Sequence, residues 1–239
     1  MKKNRILLSI TIVLMTAVVL YGQEPATAES LFREGQRLLR EGQPEEALAK
    51  FEQSAELDDE QIATFTYIGN IAILLERYDK AETAFRKAIE LDPDKGSGYS
   101  DLCRALSLQK KHDDALRACD EGVRLAPDSD VAVSTRIGAM EAAGVRPEEL
   151  RNLLEMAVGR FRSSELLLVQ ASHFYIRSRN YQSAVGLLEQ LAALRPELSV
   201  HHGMLAEVYL YLGRDAHSLN SARTALRLEP MNPYANFAL

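Results

Sequence analysis

The stretch Ile62–Lys95, IATFTYIGNIAILLERYDKAETAFRKAIELDPDK, decides the fold. Phe65, Ile68, Gly69 and Ala72 recur at helical spacing and share one face of a first helix, and Ala81, Phe85, Ala88 and Leu91 do the same on a second. Arg77-Tyr78-Asp79 breaks the run between them. Asp79 is expected to cap the second helix, with Glu82 three residues on completing a capping box. Asp92-Pro93 ends that helix, because proline disfavours helix at the residue before it. Gly69, Ala81 and Ala88 are small enough to let two helices approach, while Phe65 and Phe85 fill the volume beside them. A hairpin of this kind cannot bury its apolar face alone.

The same spacing returns on both sides of it. Ala47, Ala81 and Ala115 are each 34 residues apart, and Ala184 follows Ala115 by 69. Pro93 to Pro127 is 34, Pro127 to Pro196 is 69, and Pro196 to Pro230 is 34. Both sets of markers place one extra residue in the same interval. Repeats are therefore expected to begin near 28, 62, 96, 131, 165 and 199, with the extra residue just before the fourth. Residues 29–232 read as the repeat array, 1–28 as a leader and 233–239 as a short capping segment.

In these residues the chain resembles the tetratricopeptide repeat family. The second repeat supplies Phe65, Ile68-Gly69, Ala81, Phe85, Ala88 and Pro93. The first supplies Leu31, Gly35, Ala47 and Phe51, the third Tyr99, Leu102, Ala115 and Pro127, the fifth Leu168, Ala171, Tyr175, Ala184 and Pro196, and the sixth Leu205-Ala206, Tyr209, Ala225 and Pro230. The fourth is poorer, keeping Ile137-Gly138, Leu154 and Ala157 without the closing proline. The resemblance implies an all-α, right-handed superhelical solenoid of about six helix-turn-helix repeats. It also implies a concave groove that receives a peptide or helix of another protein.

Carried onto this sequence, the family's groove positions give Phe32, Gln36 and Arg40 in the first repeat, then Asn70 and Ile73 in the second. Ser97, Ser100, Arg104 and Ser107 follow in the third, and Ala132, Thr135, Ala139, Ala142 and Ala143 in the fourth. The fifth and sixth offer Leu166, Val169, His173, Ile176, Arg177, Val200, Glu207, Leu210 and Tyr211. Asn70 matches an asparagine with which one branch of the family holds a terminal carboxylate. Its basic companions are missing, since Phe32, Ser97 and Asp101 stand in their places. The expected site comprises Asn70, Arg104, Val169, His173, Ile176, Arg177 and Tyr211. A partner's apolar side chains would sit near Val169 and Ile176, and Arg104 or Arg177 would take a carboxylate.

Composition agrees with an interaction protein more than with a nucleic-acid binder. The 239 residues are 46% hydrophobic and 26% charged, with both signs mixed and a net charge of −6. That is enough apolar material for a core, and it offers no polybasic surface. At the start, Lys2, Lys3 and Arg5 precede the apolar run Ile6 to Tyr21, and Ala26-Thr27-Ala28 fits a cleavage site. The alternative is an uncleaved membrane tether through residues 6–21, since a spanning helix needs roughly 17–25 residues. Either way the repeats are expected outside the cytosol, as periplasmic, secreted or membrane-anchored protein.

The chain offers no nucleophile-base or phosphate-cradling motif, so neither enzymatic activity nor a cofactor or metal is expected. His201 and His202 are adjacent rather than spaced as ligands, and His202 is expected to face the core. Glu45-Glu46, Asp113-Asp114 and Glu148-Glu149 open second helices, where carboxylates complement the helix dipole. Cys103 and Cys119 fall on facing sides of the third hairpin. Two readings stand for them: a disulfide, or two buried thiols acting as small hydrophobes. A disulfide needs Cα atoms about 4.4–6.8 Å apart, whereas helix axes pack at about 8–10 Å. The last residues, with Tyr234, Phe237 and Leu239, either cover the sixth repeat or form an apolar edge for a homo-oligomer. Two functions follow: a scaffold that binds another protein, or a self-assembling structural protein of the cell envelope.

Overall fold

The computed structural model describes residues 26–235, so most of the expected leader and the last four residues lie outside the described residues. Twelve α-helices and no strands occur among them. They are α1 (Ala28–Arg40), α2 (Pro44–Leu57), α3 (Ile62–Leu74), α4 (Tyr78–Leu91), α5 (Gly96–Leu108), α6 (His112–Leu125), α7 (Asp130–Ala142), α8 (Pro147–Arg160), α9 (Glu165–Arg177), α10 (Tyr181–Leu194), α11 (Ser199–Tyr211) and α12 (Asp215–Leu228). Odd-numbered helices have 13 residues and even-numbered ones 14. They pair as about six helix-turn-helix repeats. One compact unit ends at Glu76 and contains α1–α3; a second begins at Arg77 and contains α4–α12.

Each turn inside a repeat passes through one left-handed residue, at Gly42, Glu76, Lys110, Gly144, Arg179 and Gly213. The second helix starts two residues later everywhere except after Gly144, where Val145 and Arg146 intervene before Pro147. The extra residue therefore lies within the fourth hairpin's turn, and α7 starts at Asp130 rather than at 131. This corrects the register expected for that helix by one residue, a rotation of about 100° around its axis.

Asp79 is not a cap. The N-cap of α4 is Arg77, without a side-chain cap bond, and Asp79 lies in the first turn. The left-handed Glu76 brings the chain into the helix early, leaving the carboxylate to act on the helix dipole. Glu82, instead of closing a box, accepts hydrogen bonds from Lys111 Nζ (2.8 Å), Gln109 Nε2 (3.0 Å) and Arg86 Nη2 (2.9 Å). Lys111 chiefly, opposed by burial, takes its pKa down to about 2. Side-chain caps do occur at Thr27, Ser129, Ser164 and Asn180.

In the first unit, Phe51 is fully buried among Phe32 at 5.3 Å, edge-on, and Tyr67 at 4.8 Å, stacked. Phe32 therefore belongs to an aromatic cluster, which accounts for an apolar residue at a groove position. A Cβ on Gly35 would lie 2.9 Å from the Phe51 ring, so the close α1–α2 approach depends on glycine there.

In the second unit the third hairpin is closely packed. Cys103 of α5 and Cys119 of α6, both buried, form a disulfide with Cα atoms 5.2 Å apart. At the other end of the same crossing, a Cβ on Gly96 would sit 2.9 Å from the Gly122 carbonyl oxygen. The fourth hairpin is built otherwise. Leu150 of α8 occupies the place held by Ala47, Ala115 and Ala184 in other second helices, and α8 packs less closely on α7 than α6 does on α5. A larger side chain at the crossing, together with the longer turn, holds α8 away.

At the far end, Asn232 is buried and accepts hydrogen bonds from the amides of Tyr234 and Ala235, both 3.1 Å, while its Nδ2 donates to Ser199 Oγ at 3.2 Å. Ala235 joins a buried cluster with Ala206, Ala222 and Ala225, and Tyr234 packs against the core of α9–α11. Phe237 and Leu239 lie outside the described residues.

Candidate partner-binding surface

The first helices of the second unit carry the candidate site. On α9, Leu166, Val169, His173, Ile176 and Arg177 follow one face at helical spacing. Leu166, His173 and Arg177 are exposed, while Val169 and Ile176 are half-buried against the core around Leu168, Tyr175 and Leu205. On α11, Val200, Leu210 and Tyr211 are exposed at 38%, 40% and 58%. Tyr211 stacks on Tyr181 of α10 with ring centroids 4.6 Å apart, which fixes its orientation. The exposed apolar residues are thus Leu166, Val200, Leu210 and Tyr211 more than Val169 and Ile176. Such large side chains left in water on neighbouring helices are what marks an interaction surface.

Both arginines already face carboxylates. Arg177 is paired with Glu141 of α7, and Arg104 Nη2 is 3.1 Å from Asp101 Oδ1. Burial pushes the Asp101 carboxyl up, against the pull of Arg104. A partner's carboxylate at either arginine would exchange with one on the protein, which favours recognition by register over raw affinity. Asn70 lies exposed on α3 in the first unit.

The register of α7 overturns one expectation. Ala132 and Ala139 are buried at 3% each and do not line an open groove, and Ser100 is buried as well, donating from Oγ to the Gly96 carbonyl. With α7 beginning at Asp130, the residues equivalent to Arg104 and His173 fall at Gly138, and Val131, Ser134 and Glu141 share its face. Val131 is 54% exposed, and Ser134 is tied to Gln170 of α9 by Oγ–Oε1 (2.9 Å) and Nε2–carbonyl (3.2 Å) bonds. The fourth repeat therefore presents Val131, Gly138, Glu141 and exposed Ala142 on this face, with Ala132 and Ala139 turned inward.

The histidines are exchanged too. His201 is the buried one, 3% exposed, and His202 is half-buried with Nε2 3.0 Å from the Pro196 carbonyl. His201 occupies the position of Thr64, Ala132 and Leu167, all buried, and shares its face with Met204, Leu205 and Val208. Burial pushes its pKa down, opposed by Glu165, whose Oε1 is 3.9 Å from Nε2. Two buried tyrosines tie first helices to the preceding second helices in repeated fashion. Tyr175 Oη donates to Glu155 at 2.7 Å, and Tyr209 Oη to Glu189. Burial first, and then the carboxylate, takes each phenol up to about 12. Among the described residues no group of three His, Cys, Asp or Glu could hold a metal ion, and no helix is long and apolar enough to cross a membrane.

Comparison with known proteins agrees with this architecture. Residues 62–95 and 167–199 each match the tetratricopeptide repeat family. No curated protein matches the sequence. Among solved structures, the chain is similar to PilW, described as a widely conserved type IV pilus biogenesis factor, at 12% identity over 88% of this chain and 97% of that one, with a TM-score of 0.70. Pseudomonas aeruginosa pilF is similar at 14% identity over 88% and 95%, with a TM-score of 0.64. YrrB, described as a TPR protein with an unusual peptide-binding site, aligns at 14% identity over 79% and 96%, with a TM-score of 0.52. At such identities the likeness is one of fold. Residues 62–95 and 167–199 thus match tetratricopeptide repeats, and the twelve described helices pair in the same arrangement, about six repeats in all.

Proposed function

We propose that this protein is a non-enzymatic scaffold acting outside the cytosol, and that it binds a peptide or helix of another protein on the face formed by α9 and α11. The observation that carries the reading is the set of exposed apolar side chains Leu166, Val200, Leu210 and Tyr211, beside half-buried Val169 and Ile176. His173 and Arg177 border it with polar and charged contacts. A segment with apolar side chains at helical or extended spacing would cover this patch, as peptide-binding repeat proteins do. Arg104 remains an outlying contact in this reading.

Placement outside the cytosol draws support from the Cys103–Cys119 disulfide, since such bonds persist mainly in oxidising compartments. The signal-like sequence at residues 1–28 points the same way, as either a cleaved leader or a tether. Likeness of fold to PilW and pilF is consistent with an envelope role.

The test is site-specific photo-crosslinking from positions 173 and 211 in envelope extracts of the native source. A discrete adduct that disappears in the Val200→Glu, Leu210→Glu double variant is the expected result. Adducts identical in both proteins would overturn the site. Adducts only of the chain with itself would replace scaffolding by self-assembly.

A further inference from the structure

The loosened fourth hairpin leaves an opening that the proposed groove does not use. A cleft of about 350 Å³ lies between α6, α7 and α8, with Ile137 on its floor and Leu153, Met156 and Phe161 along one side. Met156 is 63% exposed, unusually so for a methionine beside a core. The charged side chains lining this cleft are Arg136 and Arg160, and no acidic residue lines it. Each arginine is held from outside the lining by a water-facing aspartate. Arg136 Nε is 2.6 Å from Asp120 and Arg160 Nη2 is 2.6 Å from Asp128, and those aspartate side chains are 60% and 91% exposed. The Arg160 guanidinium also lies 5.2 Å from the centre of the Phe161 ring, which keeps it over the apolar wall.

We propose that this cleft is a second docking site, for a protein segment that presents a bulky apolar side chain flanked by carboxylates. Charge complementarity selects that chemistry. Arginine pairs with carboxylates in a forked geometry, and ion pairs as exposed as Arg160–Asp128 contribute little, so a partner's carboxylates displace the aspartates at small cost. The apolar floor takes the anchoring side chain, and the flexible thioether of Met156 adapts to its shape. The cleft opens along α8 instead of closing over its contents, which suits a side chain projecting from a protein surface better than a wholly enclosed small molecule. Its origin is in the sequence: Leu150 in place of alanine and the extra residue before Pro147 hold α8 out.

A random peptide library displayed on phage and selected on the full chain tests this directly. Enriched peptides should combine Asp or Glu with Leu, Ile or Phe. They should lose at least tenfold in affinity with Met156→Glu or Arg160→Glu, recover with Arg160→Lys, and bind Val200→Glu unchanged. Unaltered melting curves of these surface variants show that folding is not what is read. No enriched peptide, enriched peptides without acidic residues, or affinities unmoved by Met156→Glu would each overturn the proposal. Saturable decanoate binding at the cleft without any acidic peptide would reassign it to a lipid. Because Val200→Glu disables only the α9–α11 face, loss of that site and loss of this one are read separately.

Discussion

The third and fourth hairpins share one repeat design and differ in how closely their helices meet. In α5–α6, Gly96 and Gly122 remove side-chain bulk where the helices touch, and the Cys103–Cys119 disulfide joins them 5.2 Å apart at Cα. In α7–α8, Leu150 replaces the small residue, one residue is added to the turn, and a cleft of about 350 Å³ opens beside α8. Side-chain size at the crossing and the length of the turn together distinguish a closed hairpin from one that leaves an accessible apolar surface. Closure stabilises the array locally, and opening creates a place to bind.

The largest effect should come from the closed hairpin. Removing the crosslink as Cys103→Ala with Cys119→Ala frees a loop of 16-residue separation and should cost about 3 kcal/mol by chain entropy. Urea unfolding measures it, and reductant should lower the midpoint of the natural protein but not of the variant. Equal midpoints for both proteins without reductant would mean that glycine packing alone closes the crossing. Next is Gly96→Ala, whose Cβ would meet the Gly122 carbonyl oxygen and Ala126 Cβ, both at 2.9 Å. Backbone cannot move aside there as a side chain could, so a loss of about 2–3 kcal/mol is expected from overpacking. A neutral substitution would show that the helices separate freely at this end.

Leu150→Ala tests the open hairpin. Truncating a buried leucine costs about 2–5 kcal/mol, more where the cavity cannot collapse. If Leu150 props α8 away from α7, its removal lets the helices close, so the loss should stay near about 2 kcal/mol. The cleft beside Met156 should shrink in a crystal structure of the variant. A loss near the upper limit with the cleft unchanged would mean that the turn, not the leucine, sets the spacing.

The period, the pairing of helices and the core were legible because they rest on residues that recur: Ala47, Ala81, Ala115 and Ala184, with Phe51 and Phe85 fully buried. The candidate surface was legible in part. Leu166, His173, Arg177 and Tyr211 are exposed as their positions require, since α9 and α11 were in correct register. The fourth repeat was not, because the alanine and proline markers both sit on second helices or just after them and only bracket the added residue. Turn glycines locate it: Gly42 to Gly144 is 102 residues, three full repeats, and Gly144 to Gly213 is 69. A shift of one residue turns a helix by about 100°, enough to bury Ala132 and Ala139. His202, placed towards the core by its position in the repeat, is only half-buried, and His201 one residue earlier takes the fully buried place. The cleft carries no motif of its own, and only the substitution of leucine for alanine at Leu150 announces it.

The smallest effect concerns what holds α8 while its own hairpin is open. Tyr175 Oη of α9 donates to Glu155 of α8 at 2.7 Å, and the phenol's pKa is raised to about 12 by burial and then by that carboxylate. An acid whose folded pKa lies above its unfolded value keeps its proton longer in the folded chain. Its contribution is complete below about pH 10 and is lost as pH rises from about 10 to about 12. Tyr209 with Glu189 behaves alike in the next repeat. Tyr175→Phe should cost about 1 kcal/mol at neutral pH, one hydrogen bond's worth with the ring retained. The alkaline fall in melting temperature should become shallower in Tyr175→Phe and shallower still with Tyr209→Phe added. The effect on α8 separates this tie from a generic one. Hydrogen exchange of α8 amides should quicken more in Tyr175→Phe than that of α10 amides does in Tyr209→Phe, because α10 retains Ala184 and a close crossing with α9. Equal acceleration in both would mean that α8 is no looser than its neighbours, and that the contrast between closed and open hairpins does not extend to their dynamics.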